Sequence, residues 1–439
     1  MDQKQLIDTV EKILAQAKAQ GATAAEAGAS VENGLSVNVR LGEVETVEHH
    51  YERGFSVTVY LGERQGSAST SDMRDKSIEE TVKAACSIAR YTSADPYSGL
   101  PDKDRLAWQY PDLQLYHDWP LQAEKAIAIA KECEDAARSY DERITNSEGA
   151  QLSSHHGVTI RGNSHGFIGH YASSSHSVGC SVIAQDGDSM QRDYWYTVAR
   201  DPSALEEVEQ VGRCAAQRAV HRLNGRKIST QVVPVIFDAE VAAGLFGHFL
   251  GAIRGGSLYR KTSFLLDSLD QQLFPEWLTM TEFPHMQKAL GSAPFDREGV
   301  KTEDRDIVVG GVLKTYLLDT YSAKRLGMQS TGHAGGVHNL VVKTGQQDLA
   351  GLLKTMGTGL LVNDLMGQGV NRVTGDYSRG AAGFWVENGE IQYPVEEITI
   401  AGNLKDMYKN ILDIGCDVDL RRNIRTGSVL IGGMTVAGN

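Results

Sequence analysis

The sequence predicts an α+β protein with an N-terminal and a middle unit, each made of a helix, an antiparallel sheet and a helix, and then a mixed, mainly antiparallel α+β domain. Two observations predict this. In the first half of the chain, apolar residues recur at helical spacing, then at every second position, then at helical spacing again, and this sequence of patterns occurs twice. The second half mixes hairpin signals with short helical patterns. The length of 439 residues also exceeds one ordinary core. We therefore expect domains at 1–115, 116–224 and 225–439.

The N-terminal unit begins with an amphipathic helix, because apolar residues recur at helical spacing from Leu6 to Ala17. Apolar and polar residues then alternate over 25–70, which is typical of strands with one buried face. Four turn signals interrupt this alternation and predict four or five strands: Asn33-Gly34, Leu41-Gly42, Arg53-Gly54 and Gly62. A second helix follows, from Asp75 or Ser77 to about Tyr91.

The middle unit repeats this order after a proline-rich boundary between residues 92 and 120. We predict a helix over 121–139, strands over 143–198 and a helix over 204–223. Three turn signals divide the strands: Glu148-Gly149, Gly162-Asn163 and Asp186-Gly187-Asp188.

The C-terminal domain begins with an apolar strand, Val232 to Phe237, and a helix over 239–254 that Asp238 caps. Glycine pairs predict hairpins at Gly310-Gly311 and Asn388-Gly389. The remaining predicted elements are short helices over 320–326, 348–356 and 404–412, a glycine-rich loop over 330–342 and strands over 359–365 and 428–436.

Charge and composition limit the partners of the chain. The formal net charge is −13 with a pI near 5.5, which disfavours direct binding to nucleic acid or to an anionic membrane. The polar N-terminus has no apolar core like that of a signal peptide. Five scattered cysteines without a CxxC pair argue against a disulfide framework. We therefore expect a cytoplasmic protein with reduced thiols.

The helix over 239–254 is unusual because glycines recur along one side of it, at Gly244, Gly247 and Gly251, with Gly255 just beyond. Each interior glycine costs about 1 kcal/mol relative to alanine, so the pattern needs a reason. Two reasons remain open: tight packing against another element, or a peptide or ligand lying against the bare backbone.

The same helix carries one histidine, His248, but no second metal ligand. The residues one turn away are glycine or apolar, and no glutamate stands beside it to activate a bound water. Serine-nucleophile elbows and P-loops are also absent from the sequence. The helix therefore has the form of a metal-site scaffold without the ligands.

Three segments resemble the PmbA (TldE) branch of the TldD/PmbA family, described as peptidases and as modulators of DNA gyrase: GLFGHFLGAIRGGSLYRKTSFLLDSL, PFDREGVKTEDRDIVVGGVLKTYLLDTYSAKRLGMQSTGHAGGVHN and GSVLIGGMTVAGN. In TldD-type relatives, the corresponding helix carries HExxxH, which binds a catalytic metal together with a later cysteine. Here the second histidine position holds Ala252 or Ile253, and the segment 417–428 contains no cysteine, with Cys416 just outside it. His248 thus marks a degenerate metal-site position.

The resemblance implies a subunit of a heteromeric, cytoplasmic metallopeptidase that acts on unfolded peptides such as a microcin leader or an antitoxin. Zinc would belong to a TldD-like partner, and this chain would bind no metal and would be inactive or weak alone. It would supply chamber and peptide-binding surface, and it could pair with itself in the absence of the partner. The alternative is a regulatory or binding protein of the DNA gyrase modulator type.

Six residues near the helix and in the glycine-rich loop are candidates for contact with peptide or with the partner subunit: Tyr259, Arg260, Lys261, Ser263, His333 and Asn339. Arginine and lysine can hold a carboxylate or carbonyl, and glycine-rich loops allow a peptide backbone to approach. The alternative for all six is a structural role in helix capping and core packing. The catalytic residues themselves are not predicted.

Overall fold

The N-terminal and middle units build one antiparallel sheet between them. A computed structural model describes residues 3–438 and confirms an α+β fold. The elements of this half are α1 (Gln3–Ala19), β1 (Ala24–Arg40), β2 (Glu43–Leu61), β3 (Arg64–Thr70), α2 (Asp75–Tyr91), α3 (Ala123–Arg138), β4 (Ile144–Asn163), β5 (Ile168–Asp186), β6 (Ser189–Ala199) and α4 (Val208–His221). Within the described chain these strands form a six-stranded sheet in the order β3-β2-β1-β4-β5-β6.

The strands are longer and fewer than the turn signals predict. Three strands, not four or five, cover residues 24–70, so the turns predicted at Asn33-Gly34 and Arg53-Gly54 are wrong. Gly34 is needed for packing instead, because a Cβ there would lie 2.2 Å from His155 Nδ1 on the neighbouring strand. The turn predicted at Glu148-Gly149 is also wrong, since it is an irregularity within β4.

The sheet is continuous across the boundary predicted near residue 115. Strands β1 and β4 pair in register from Glu26 opposite Asn163 to Val39 opposite Ala150. Helices α1 and α2 cover the half of the sheet that contains β2 and β3, and helices α3 and α4 cover the half that contains β5 and β6. The division at 115 and 224 stays a prediction.

The C-terminal domain adds two further sheets. Its elements are β7 (Gln231–Phe237), α5 (Ala239–Ala252), α6 (Gly255–Tyr259), β8 (Met280–Glu282), β9 (Arg305–Val309), β10 (Val312–Leu313), α7 (Thr320–Leu326), β11 (Leu340–Val342), α8 (Leu349–Met356), β12 (Gly359–Met366), β13 (Asp376–Glu387), β14 (Glu390–Asn403), α9 (Leu404–Lys409), β15 (Ile411–Ile414), β16 (Ile424–Arg425) and β17 (Val429–Ala437). Among residues 3–438 the strand orders are β10-β9-β8-β11-β16 and β14-β13-β12-β7-β17-β15. Both glycine-pair hairpins are confirmed.

Helix α9 is shorter than the predicted helix over 404–412. It ends at Lys409, and strand β15 begins at Ile411. Asn403 does cap it, since its side chain accepts a hydrogen bond from the Lys405 amide. None of the helices in the described residues is both long enough and apolar enough to cross a membrane.

Helix α5 is fixed by its apolar face, which is buried in the largest core cluster. The Phe249 ring lies 5.0 Å from Phe274 in an edge-to-face contact, and the Tyr408 hydroxyl donates a hydrogen bond to the Leu245 carbonyl at 3.0 Å. Because these contacts point to one side, the glycines lie on the opposite side of the helix.

Candidate functional site

The glycine face of α5, which we define as Gly244, Gly247 and Gly251, is open. Apart from the adjoining residues and the backbone of α5 itself, no described atom lies within 4 Å of a Cβ built on Gly244 or Gly251, and at Gly247 only Ile424 Cδ1 does, at 4.0 Å. Gly255 differs, because a Cβ there would lie 2.1 Å from Ser322 Oγ. Tight packing therefore explains why residue 255 is glycine. It does not explain the three glycines of the glycine face, because no neighbouring element packs closely against them.

This difference gives a direct prediction for four alanine variants. Gly244→Ala, Gly247→Ala and Gly251→Ala each raise the free energy of unfolding by about 0.5–1 kcal/mol, because alanine favours the helix and meets open space. Gly255→Ala lowers it by about 1–3 kcal/mol through the clash with Ser322. Urea unfolding measures all four, and destabilisation by the first three would show that the glycine face is packed.

His248 lies beside the glycine face and is surrounded by residues that repel a cation. Its ring centroid is 6.1 Å from that of Tyr377, at an interplanar angle of 76°. Burial lowers the pKa of His248, and the charges of Arg379 and Arg372 lower it further, so the imidazole is neutral at pH 7. The residues one turn away are Gly244, Leu245, Gly251 and Ala252. The described surroundings of His248 therefore do not fit a zinc ion.

The segment 417–428, where the resemblance to the TldD/PmbA family implied a missing cysteine, supports α5 through oxygen atoms. Ser428 Oγ accepts a hydrogen bond from the Ala239 amide at the start of α5, at 3.0 Å, and donates one to Asp417 Oδ2 at 2.7 Å. Cys416 is exposed, and its sulfur lies 3.8 Å from the Gln346 carbonyl oxygen. This segment thus holds the N-terminal end of α5 in place.

A second cluster, which we call the Glu282 cluster, consists of Glu282, His333 and His338. Glu282 Oε2 lies 2.7 Å from His333 Nε2, and Oε1 lies 2.9 Å from His338 Nδ1. The His338 amide also donates to Oε1, at 2.6 Å. All three residues are buried, and one carboxylate at the end of β8 holds the two histidines on either side of Gly335-Gly336 in the glycine-rich loop.

Hydrogen-bond partners define the protonation of this cluster. Thr331 Oγ1 lies 2.8 Å from His333 Nδ1 and 3.2 and 3.3 Å from the Tyr316 and Leu318 carbonyl oxygens, so His333 has a polar partner on each ring nitrogen. Because the ionised Glu282 carboxylate can only accept hydrogen bonds, His333 donates to it from Nε2 and His338 donates to it from Nδ1. Burial raises the pKa of Glu282, but the hydrogen bonds and charges of His333 and His338 outweigh it and lower the pKa to about 2.

Two histidines and a glutamate are also ligand types that zinc takes, with ligand atoms within 4.8 Å of one another. Each of these atoms already contacts another member of the cluster, and His333 must release a proton before Nε2 can bind a metal. The sequence shows the histidine pair around Gly335-Gly336, but the glutamate that joins them lies 51 residues before His333. Sequence analysis therefore missed Glu282 and His338.

The other predicted site residues fall into two groups. Asn339 and Ser263 are buried: Asn339 Nδ2 donates to the Phe283 carbonyl at 2.9 Å, and Ser263 Oγ donates to the Ala252 carbonyl at 2.7 Å. Arg260 and Lys261 are exposed at the end of α6, and the Arg260 guanidinium lies 5.1 Å from the Tyr259 ring centroid. Contact of these residues with peptide or partner stays a prediction.

Two arginines at the C-terminal end of α4, Arg218 and the following Arg222, connect the middle unit to the C-terminal domain. Arg218 lies 3.1 Å from Asp193 on β6 and 3.1 Å from Glu240 on α5. Arg222 lies 3.4 Å from Asp193 and 3.0 Å from Asp364 on β12. Asp193 and Glu240 are only 2% and 5% exposed, so these ion pairs are largely shielded from water.

Comparison with known proteins identifies the class. Sequence models of the PmbA/TldA metallopeptidase domain 1, central domain and C-terminal domain match residues 25–89, 116–223 and 230–438. Metalloprotease PmbA of Escherichia coli O157:H7 is 53% identical over 97% of this chain and 94% of its own length. The PmbA homolog of Haemophilus influenzae is 53% identical over 95% and 94%.

Solved structures agree. A proposed modulator of DNA gyrase from Bacteroides thetaiotaomicron covers 100% of both chains with a TM-score of 0.95 and 30% identity. TldE from Thermococcus kodakarensis covers 98% of this chain and 100% of its own with a TM-score of 0.82, and at 20% identity it supports the fold alone. The protein is thus of the TldD/PmbA metallopeptidase class. Within that class, the chain belongs to the PmbA branch, which confirms the resemblance.

Proposed function

We propose that this chain is a subunit of a cytoplasmic metallopeptidase complex that cleaves unfolded peptides, of the microcin-leader and antitoxin kind. A TldD-like partner chain holds the catalytic zinc, and this chain contributes chamber and peptide-binding surface. The observation that supports the proposal is the open glycine face of α5 beside His248, a neutral histidine without a second ligand. Relatives named metalloprotease support the peptidase part.

The dimensions of the glycine face suit a peptide. From Gly244 to Gly251 the helix rises about 10 Å, the length of about three residues of extended chain. Without side chains on this face, a peptide backbone can lie directly against the helix. The net charge of −13 favours a protein or peptide partner over DNA.

The experiment compares this chain, a TldD-like chain and their mixture on an unfolded peptide. We expect cleavage by the mixture, sensitivity of that cleavage to a chelator, and little or no cleavage by this chain alone. Gly247→Leu, which fills the glycine face, reduces cleavage by the mixture, whereas Lys125→Leu on the exposed side of α3 does not. Chelator-sensitive cleavage by the isolated chain at the rate of the mixture would contradict the proposal.

Metal analysis of the isolated chain tests the absence of zinc separately. We expect less than one zinc ion per chain. Stoichiometric zinc that is lost in His338→Gln would instead assign a metal to the Glu282 cluster.

The second candidate function is a regulatory protein that binds DNA gyrase, favoured by the description of the Bacteroides thetaiotaomicron structure as a proposed modulator of DNA gyrase. Affinity capture from cell extract separates the two functions. Recovery of a TldD-like chain supports the peptidase subunit, and recovery of gyrase without a TldD-like chain supports the regulator.

A further inference from the structure

A cavity of about 290 Å³ opens at the N-terminal end of the glycine face. Its wall includes Gly244 on α5, Asn363 on β12, Arg379 on β13 and Arg422 in the segment before β16. The opposite wall comes from β6 and α4 of the middle unit. The cavity therefore lies where a peptide on the glycine face would end or turn.

The cavity is positively charged although the chain as a whole is acidic. Five arginines and three carboxylates line it. The three carboxylates, Asp193, Glu240 and Asp364, are all within 3.4 Å of Arg218 or Arg222. The charge of those two arginines is thus already compensated. Arg192 is also compensated, because it pairs with Glu148 on β4.

The two remaining arginines, Arg379 and Arg422 of the C-terminal domain, lack such compensation. Arg379 forms no ion pair with any of the described residues; its guanidinium donates to the Leu365 carbonyl at 3.2 Å and also interacts with the Tyr377 hydroxyl. Arg422 lies 3.9 Å from Asp419, whose carboxylate is already bound by the Arg421 guanidinium at 2.9 and 3.1 Å. The buried Nε atoms of Arg379 and Arg422 have no hydrogen-bond partner among the described residues.

Asn363 adds a third unpartnered group. The pairing of β12 with β13 is irregular between Val362 and Asp364, so Asn363 stands at a bulge. Its buried Oδ1 atom has no hydrogen-bond partner in the described part of the chain. An oxygen acceptor therefore accompanies two guanidinium donors in the same wall, a combination that suits a group with both a carboxylate and an N–H.

We propose that this cavity binds the C-terminal carboxylate of a peptide, with Arg379 and Arg422 donating to the carboxylate oxygens and Asn363 accepting from the last peptide N–H. A planar guanidinium matches a carboxylate in two-point hydrogen bonding. The glycine face then receives the residues before the C-terminus. The inference rests on the proposed peptide-binding function, and it specifies which end of the peptide the chain recognises.

The test measures binding of short unstructured peptides, labelled at the N-terminus, to the full chain by fluorescence anisotropy, so that no catalysis is involved. The probes are one peptide as free acid, the same peptide as C-terminal amide, and an amide that ends in glutamate. We expect the free acid to bind at least about tenfold more tightly than either amide. Equal binding of acid and amide would overturn the proposal, and so would equal binding of the glutamate amide, which would place a side chain in the cavity.

Variants assign the effect to the two arginines. Arg379→Gln and Arg422→Gln each remove most of the preference for the free acid, whereas Arg213→Gln, on the exposed side of α4, retains it. Thermal melting of each variant checks folding, and Arg379→Lys, which keeps the charge but loses the planar fork, provides a milder change. A preference that persists in both glutamine variants would overturn the proposal. The two proposals fail separately. If the mixture with a TldD-like chain cleaves no peptide while this chain still prefers the free acid, the proposed peptidase function fails and the carboxylate site stands.

Discussion

Glu282→Gln lowers the free energy of unfolding by about 3–5 kcal/mol, because it removes a buried carboxylate that accepts hydrogen bonds from two buried histidines. The glutamine NH2 group also faces one of the two histidines, each of which is itself a donor to this side chain. Denaturant unfolding measures the loss. Glu303→Gln is the matched control, since Glu303 is 47% exposed and its pair with Arg305 is a surface ion pair worth less than about 1 kcal/mol. Similar losses in both variants would contradict a special role for Glu282.

The pH dependence of stability gives an independent measure of the same cluster. The pKa of Glu282 falls from 4.5 to about 2 on folding, so its stabilisation is present above pH 4.5 and is lost as the pH falls from 4.5 towards 2. Wild-type stability therefore decreases more steeply than that of Glu282→Gln over this window. Parallel pH profiles would show that the carboxylate is not charge-paired.

Asp193→Asn lowers the free energy of unfolding by about 3 kcal/mol. Because Asp193 on β6 orients Arg218 and Arg222, which reach Glu240 and Asp364 of the C-terminal domain, we expect the attachment of the middle unit to weaken as well. Asparagine keeps the shape of the side chain but leaves Arg218 and Arg222 without the charge that both of them contact. Unfolding by denaturant gives the free energy, and limited proteolysis near residue 225 reports the attachment.

The control for Asp193 lies on α4, the helix that carries Arg218. Glu209 pairs with Arg213 one turn away at 2.9 Å, and both side chains are more than half exposed. Glu209→Gln therefore changes stability by less than about 0.5 kcal/mol. If both variants behaved alike, burial would not be what makes the Asp193 pairs strong.

The fold was most predictable for elements that the spacing of apolar residues along a short stretch of sequence determines. Helices α1 to α4 follow from apolar residues at helical spacing, since one buried face specifies both the helix and its packing side. Strand ends were less predictable. Gly34 has the sequence signature of a turn, yet its role is to make room for His155, which lies more than a hundred residues away.

The site was predictable only in part, for the same reason. The glycine spacing and the missing ligands of His248 are visible in the sequence, but whether a glycine faces a neighbour or open space depends on the tertiary structure. The sequence also gave no signal for Glu282, because a single glutamate at a strand end becomes distinctive only when the fold brings His333 and His338 to it.

The pairing of β1 with β4 has a consequence for how the chain folds during synthesis. Strand β1 is complete at Arg40, but its partner from Ala150 to Asn163 emerges from the ribosome more than a hundred residues later. Until then, the N-terminal meander has a long unpaired edge with free backbone donors and acceptors. Such late, non-local pairing slows folding and exposes the nascent chain to edge-to-edge aggregation. A fragment that ends near residue 115 keeps this edge permanently, so we expect it to aggregate, whereas a fragment that ends after α4 does not.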